Sequence, residues 1–410
     1  MTVGQLGMKH PSLAGMVDAI KNKISRESLH ERFTESAVEY MKICARFILR
    51  KKIQTQTLQT KLLNKFNRVF LVDSSSWDID PKLSDVFPGS GGNASSANCK
   101  TQTFYEYKSG ELSLFELTPG TNPDNKYTKQ IPAKIKPNDL LLADLGYFCL
   151  NTFNEIIKKM AFFISRFKIG TCIWEAETLK PIELEKVLMG VKGNAYQMEV
   201  KIGADEKTRV SCRLICLRVK EEVANQRRMR LKKEAKKKGR IPSAKSLALA
   251  DWTVMITNVP EKWVPSEMLW RIYAIRWQIE LLFKQIKSIL QVHHSNTENV
   301  CRLKCEIYGK LIMATLISRI HGTINAELWN THKRELSMDK FYKRIQERAF
   351  HLLELLLTSV GKAVTYLTKE VGRLIKNCMK CRQPSRKTTL QLIEEDIFLI
   401  VEDLKSVCLT

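Results

Sequence analysis

Residues 273–287 read Tyr273-Ala274-Ile275-Arg276-Trp277-Gln278-Ile279-Glu280-Leu281-Leu282-Phe283-Lys284-Gln285-Ile286-Lys287. At about 100° per residue, Tyr273, Arg276, Glu280 and Lys287 fall at roughly 0°, 300°, 340° and 320°, within about a 60° arc of one helix. Ile275, Ile279, Leu282, Phe283 and Ile286 fill the neighbouring arc. One face therefore packs on a core, and its border lines up a tyrosine, an arginine, a carboxylate and a lysine. The periodicity predicts one long helix over 264–290. An Arg276–Glu280 ion pair on an amphipathic helix would explain two of these residues. Four on one border point to a working face.

Upstream the texture is β-rich. Val69-Phe70-Leu71-Val72 predicts a short strand ending in Asp73, and a Gly/Ser/Asn-rich loop follows at 88–98. Two alternating runs, 101–107 and 111–117, are joined by Lys108-Ser109-Gly110, as suits a hairpin. Leu140-Leu141-Leu142-Ala143 predicts a strand ending in Asp144, followed by a helix from Phe153 to Lys159 and a strand from Ala161 to Ser165. The order β-β-β-α-β-α-β is that of an α/β protein, a mixed sheet flanked by helices. The carboxyl ends of such strands open into the crevice where ligands bind, and an Asp there binds metal, caps a helix or starts a turn. Two such Asp residues and a Glu on a later helix are the parts of a divalent-cation site, because hard cations such as Mg²⁺ prefer carboxylate oxygens.

The spacing Y-x2-R-x3-E-x6-K over Tyr273, Arg276, Glu280 and Lys287 resembles the signature of the insertion-sequence-four family of bacterial transposases. Asp144-x-Gly146-Tyr147-Phe148 resembles that family's second motif, and Asp73 after a β-run resembles its first, although Ser74-Ser75-Ser76 stands where the family usually has Gly or Thr. The resemblance covers about residues 30–330. It implies a ribonuclease-H-like catalytic core with Asp73, Asp144 and Glu280 as a metal-binding DDE triad. It also implies two Mg²⁺ ions about 3.5–4 Å apart, with Mn²⁺ able to substitute, and in-line phosphoryl transfer at transposon ends followed by strand transfer into target DNA. Tyr273, Arg276, Lys284 and Lys287 would hold phosphates, Arg by its forked donors and Lys as a point charge. Trp252 either stacks on a flipped base, as an aromatic near this point does in the family, or fills a core. The alternatives are a ribonuclease-H-like nuclease that never joins strands and a transposase-derived DNA-binding protein without catalysis.

The 410 residues carry 67 Lys+Arg against 43 Asp+Glu, a formal net charge of +24 that calls for a polyanionic partner, double-stranded DNA first. Nine Lys/Arg and one acid lie between Arg227 and Arg240, so Arg227, Arg228 and Lys232 are candidate DNA contacts, with a solvated surface as the other reading. The expected layout is a helical end-binding region at 1–66 with Thr34 as a helix N-cap, a catalytic core at 67–167 and 253–330, a β-rich basic insertion at 168–252, and a helical region at 331–410. In the first region Val38, Met41, Phe47 and Ile48 form the apolar helix face, and the apolar stretch 350–357 is a further core or dimer helix. A homodimer on DNA is expected, since two ends must meet one target. The eleven cysteines form no repeating framework and suit reduced thiols. Cys378-x2-Cys381 has zinc spacing but lacks a second half nearby. No apolar run is long enough for a membrane span, and the N-terminus lacks the pattern of a secretory signal, so a cytoplasmic, nucleoid-associated location is expected.

Overall fold

The computed structural model describes residues 12–18, 24–50, 57–92, 95–293, 295, 297–381 and 387–394. In chain order, three helices, α1 (Leu13–Asp18), α2 (Arg26–Glu31) and α3 (Glu35–Arg50), precede three strands, β1 (Val69–Asp78), β2 (Asn98–Glu106) and β3 (Glu111–Pro119). Then come β4 (Leu140–Ala143), α4 (Leu150–Lys158), β5 (Phe162–Arg166), β6 (Ile173–Glu175), β7 (Ala195–Ile202), β8 (Val210–Arg218), α5 (Glu221–Lys237) and β9 (Trp252–Thr257). The rest is helical: α6 (Ser266–Ala274), α7 (Trp277–Ser288), α8 (Val300–His332), α9 (Met338–Thr358), α10 (Val360–Cys378) and α11 (Thr389–Glu394). Among the described residues no helix is long and apolar enough to cross a membrane, and all ten described cysteines are free thiols.

The chain forms two compact units. The first comprises 1–59, 70–123 and 277–384. Here β1, β2 and β3 form an antiparallel ladder running from Phe70↔Glu106 to Asp78↔Asn98 and on to β3. β1 is longer than the apolar run 69–72 predicts. Its hydrogen-bonded ladder continues six residues past Val72, because β2 stays paired with it and pairing needs backbone rather than apolar side chains. Asp73 therefore lies mid-strand, opposite Thr103, rather than at a strand end.

Helix α3 starts as expected, with Thr34 Oγ1 accepting from the Ala37 N–H at 3.3 Å. Val38 and Met41 bury against Cys305, Tyr308 and Ile312 of α8. Phe47, expected on the same face, is 60% exposed, and Ile48 lies outside the described side chains. The N-terminal helices thus share the core of this unit instead of standing apart. The 350–357 stretch lies in α9, and the Phe350, Leu352, Leu353, Leu356 and Leu357 side chains are outside the described set.

The second unit comprises 60–69, 124–276 and 385–410. Its sheet is mixed: β4 and β5 are parallel, and β9, β8, β7 and β6 follow antiparallel. Residues 168–252, expected as an insertion, continue this sheet, since β9 pairs with β5 at Thr257↔Ile164 and with β8 at Ile256↔Leu214. Asn258 extends the pairing beyond β9, because its Oδ1 accepts from Phe163 N at 2.8 Å and its Nδ2 donates to Ala161 O at 2.8 Å. The α11 segment belongs here too, its Leu392 carbonyl accepting from buried Arg271 at 2.8 Å.

In the first unit the β2–β3 hairpin turns at 107–110, where buried Glu106 accepts from the N–H groups of Lys108 and Ser109 at 3.1 and 2.8 Å. Gly110 has φ +75°, and a Cβ there would meet Ser318 O of α8 at 2.5 Å. A Cβ on Gly322 would meet Ser109 O at 2.3 Å. The hairpin turn and α8 touch backbone to backbone, which only glycine allows. Gly322→Ala is expected to destabilise the protein by about 1–3 kcal/mol. A urea-unfolding midpoint equal to that of the unchanged chain would refute this contact.

Candidate active site

The sequence of α7 buries Ile279, Leu282, Phe283 and Ile286 and leaves Glu280 and Lys287 half-buried and Lys284 exposed. This is the predicted amphipathic pattern. The predicted single helix over 264–290 is, however, two helices. At Ile275 and Arg276 the backbone tightens into i→i−3 bonds, to Ile272 O and Tyr273 O at 3.0 Å each, and α6 ends there. The boundary between the units falls at the same point, with Tyr273 and Arg276 in the second and Glu280 and Lys287 in the first.

In the first unit a solvent-open cavity of about 650 Å³ is lined by Asp73, Ser74 and Ser75 of β1, Glu280, Phe283, Lys284, Lys287 and Ser288 of α7, and His293 of the loop beyond. The structure thus brings together four of the predicted site residues: Asp73, Glu280, Lys284 and Lys287. Asp73 is half-buried, and its Oδ1 accepts from Ser74 N at 2.8 Å. Lys287 Nζ donates to Ser76 O at 2.8 Å, tying α7 to the strand that carries Asp73. Its partial burial holds the ammonium below the ordinary lysine range. Two carboxylates and two ammonium groups around one open cavity suit phosphate and hard cations together.

Asp144 stands in the second unit, directly after β4, at the N-cap of a 3-10 turn, Leu145–Tyr147. Its side chain makes no capping hydrogen bond, so turn formation does not consume the carboxylate. Tyr273 Oη lies 3.4 Å from Ala143 O and 3.5 Å from Asp144 Oδ1, within reach of donating to either. Burial first, and then the Asp144 charge, push the Tyr273 phenol above its ordinary range, which keeps it a neutral donor at any working pH. The Arg276 and Arg166 charges act in the opposite direction on that phenol. Among the described residues no three His, Cys, Asp or Glu side chains cluster as a metal-ligand set, the spaced Cys378 and Cys381 included.

Two residues expected to contact DNA, Arg227 and Arg228, have partners within the fold. Arg227 donates to Trp252 O at 3.0 Å and Thr253 Oγ1 at 2.9 Å. Arg228 pairs with Asp251 and donates to Asn225 Oδ1 at 2.7 Å. Lys232 is exposed. Trp252 is 5% exposed beneath the Arg218 guanidinium, 4.4 Å from its ring centroid. It is therefore a core tryptophan with a cation on its face, and a base has no access to stack on it. The sequence reading missed Ser74, Ser75, Phe283, Ser288 and His293 as cavity residues. The first two were signalled only by adjacency to Asp73.

The fold is thus a mixed α/β one, with a half-buried acid on a strand and another on a helix set beside lysines in one open pocket. Residues 64–316 match the transposase DDE domain model. The chain is 30% identical over 389 residues to the transposase for insertion sequence element IS231E of Bacillus thuringiensis subsp. finitimus, covering 90% of this chain and 81% of that one. It is 31% identical over 392 residues, with the same coverages, to the transposase for IS231C of Bacillus thuringiensis subsp. berliner. To the transposase for IS1151 of Clostridium perfringens it is 26% identical over 403 residues, covering 93% and 84%. A solved structure, the cryo-EM structure of the piggyBac transposase synaptic complex with hairpin DNA, overlaps at a TM-score of 0.41 and 11% identity, covering 93% of this chain and 75% of that one. The chain belongs to the DDE transposase family, and it is a DNA transposase of the bacterial insertion-sequence kind.

The core placement of Trp252 is directly testable. Trp252→Ala should lower stability by about 3–5 kcal/mol, while the fraction that stays folded binds DNA as the unchanged chain does. Loss of DNA affinity at full stability would restore the base-stacking role.

Proposed function

We propose that this transposase cleaves DNA at the ends of its own element and transfers the freed 3′-OH into target DNA, with Asp73, Asp144 and Glu280 as its catalytic carboxylates. The observation that carries the reading is the cavity in which Asp73 and Glu280 stand with Lys284 and Lys287. Asp144, half-buried and engaged by Tyr273 rather than by its own turn, is the third carboxylate the family signature calls for. An all-oxygen carboxylate donor set fits Mg²⁺, with Mn²⁺ as a substitute. Two such ions, when bound, assist the attacking oxygen and stabilise the leaving one.

The residues divide the remaining work. Lys284 and Lys287 offset phosphate charge beside the acids. Arg276 presents forked donors suited to a phosphate. Tyr273 steadies Asp144 by a neutral hydrogen bond. In the first step water attacks the phosphorus at the element's end, the P–O3′ bond breaks, and the 3′-oxygen leaves as a hydroxyl. In the second step that hydroxyl attacks a target phosphodiester, so one ester is exchanged for another with no protein nucleophile.

Asp73→Asn, Asp144→Asn and Glu280→Gln should each reduce cleavage of end DNA to background in Mg²⁺ while leaving end binding nearly unchanged. Each removes a ligand charge and keeps the side-chain shape. Normal cleavage by any one of them would take that residue out of the triad. Supplying a precut end separates a transposase from a nuclease, since only the former joins it to target.

The basic stretch 227–240 carries a second, separable expectation. Arg230, Lys232, Lys233, Lys236, Lys237, Lys238 and Arg240 are exposed, whereas Arg227 and Arg228 are engaged. If about three of the exposed residues meet phosphate, replacing all seven with Gln should flatten the slope of log affinity against log salt by roughly 2.7. An unchanged slope in a salt titration would make this a solvated face.

A further inference from the structure

The loop that leaves α7 is held more expensively than chain connection requires. Gln291 sits in the left-handed region at φ +49°, an uncommon conformation for a residue with a side chain. Its carbonyl accepts from Lys310 Nζ at 2.7 Å, and Lys310 is only 2% exposed within α8. One helical turn earlier, Glu306 is equally buried and accepts from Ser295 Oγ at 2.7 Å and Arg302 Nε at 2.8 Å. Residues 291 and 295 are thus both tied to one helix by buried ionic side chains. Burial pushes the Lys310 ammonium down to about 8, a sign of how unfavourable the charge is there. Well-packed apolar residues of similar volume serve stability as well as buried ions or better. The arrangement makes sense if the shape of the loop matters. Between the two tethers stands His293, which lines the same cavity as Asp73 and Glu280.

We propose that His293 is a phosphate contact for the DNA in that cavity, and that Lys310 and Glu306 are positioning residues that hold the loop so that the imidazole faces it. The proposal rests on the reading of the cavity as the place where DNA is cut. An imidazole carries an N–H donor in either protonation state, and next to Lys284 and Lys287 a phosphate oxygen is the matching acceptor. Lys310 never touches DNA in this scheme. It acts through the Gln291 carbonyl, and Glu306 acts through Ser295.

The test uses the full chain, precut end duplex in metal-free buffer for affinity, and Mg²⁺-dependent cleavage for KM and kcat. His293→Ala should weaken end affinity about tenfold, as expected for a hydrogen bond to a charged group. Lys310→Met should raise KM by a comparable factor with kcat little changed. Lys310→Arg should recover part of the loss. In the His293→Ala background Lys310→Met should add nothing, because both act on one contact. Ser295→Ala, which removes only the hydroxyl tether to Glu306, gives the same test if Lys310→Met does not fold. It should weaken affinity in the unchanged chain and have no effect in the His293→Ala background. Equal losses in both backgrounds would reduce Lys310 and Ser295 to structural roles and overturn the proposal. So would a His293→Ala protein with normal affinity but an altered Mg²⁺ requirement, which would make His293 a metal ligand. Failure of the cavity reading itself shows separately, as undiminished cleavage by Asp73→Asn.

Discussion

Asp73 and Glu280 set negative charge beside negative charge in one cavity, and much of the first unit serves to keep them there. A polyanionic substrate brought to these acids is repelled by them. Flexible side chains on loops would relax such a contact by moving apart. Neither acid has that freedom. Asp73 is fixed within a paired strand opposite fully buried Thr103, and Glu280 rides a helix whose other face is buried at Ile279, Leu282 and Ile286. Lys287 links the two elements by donating to the Ser76 carbonyl of the Asp73 strand, and it lines the same cavity as both acids. The same ammonium is therefore a brace, held at a half-buried position that disfavours its ionisation.

The second unit solves a related problem by different means. Asp144 has no strand partner and follows directly on a four-residue buried strand. A carboxylate at the N-cap of a turn usually spends its oxygens on the turn's N–H groups. Here it does not, and the Tyr273 hydroxyl within reach of it is a neutral donor that restrains the carboxylate without cancelling its charge. A lysine in that role would have formed an ion pair and competed with a cation for the same oxygens. The protonated phenol leaves the carboxylate's full negative charge available.

The sequence showed the helix face that carries Glu280 and the strands before Asp73 and Asp144 well, because both are local patterns: a 3.6-residue periodicity and short apolar runs. It failed where partners distant in sequence decide the outcome. β1 runs on past Val72 because β2 continues to pair with its polar residues, and no period-2 signal marks that. The helix divides at Ile275 without Gly or Pro, so nothing local announced the break. The stretch 168–252, expected as a β-rich basic insertion, carries β8, whose pairing with β9 and through it with β5 continues the sheet, a long-range register that a basic composition does not announce. Trp252 could be read as solvent-facing or as core, and only its cover by Arg218 decides it. His293 belonged to the site through a tertiary contact set by α8, which the residues around it do not encode.

Net charge told which partner to expect and much less about where that partner touches. A notable share of the positive residues is spent inside the fold. Arg213 donates to the Val259 and Val264 carbonyls, Arg271 to Leu392, Arg319 pairs with Glu111 at 3.1 Å, and Arg227 holds the start of β9. Arginine suits this work because its forked donors satisfy two carbonyls at once while the charge stays spread over a plane. The exposed positives within 230–240 are mostly lysines, whose compact, strongly hydrated charge is costly to bury and easily left at a surface. Among the described residues Lys310 and Lys108 are exceptions, sunk to 2% and 6% exposure, each with a buried carboxylate acting on its charge, Glu306 and Glu106. Lys284 and Lys310 thus share a side chain and a charge, and differ in role because one faces an open cavity and the other a protein carbonyl. Burial and side-chain chemistry together divide the basic residues of this transposase between those left facing solvent or a cavity, such as Lys284, and those that hold the backbone, such as Lys310 and Arg213.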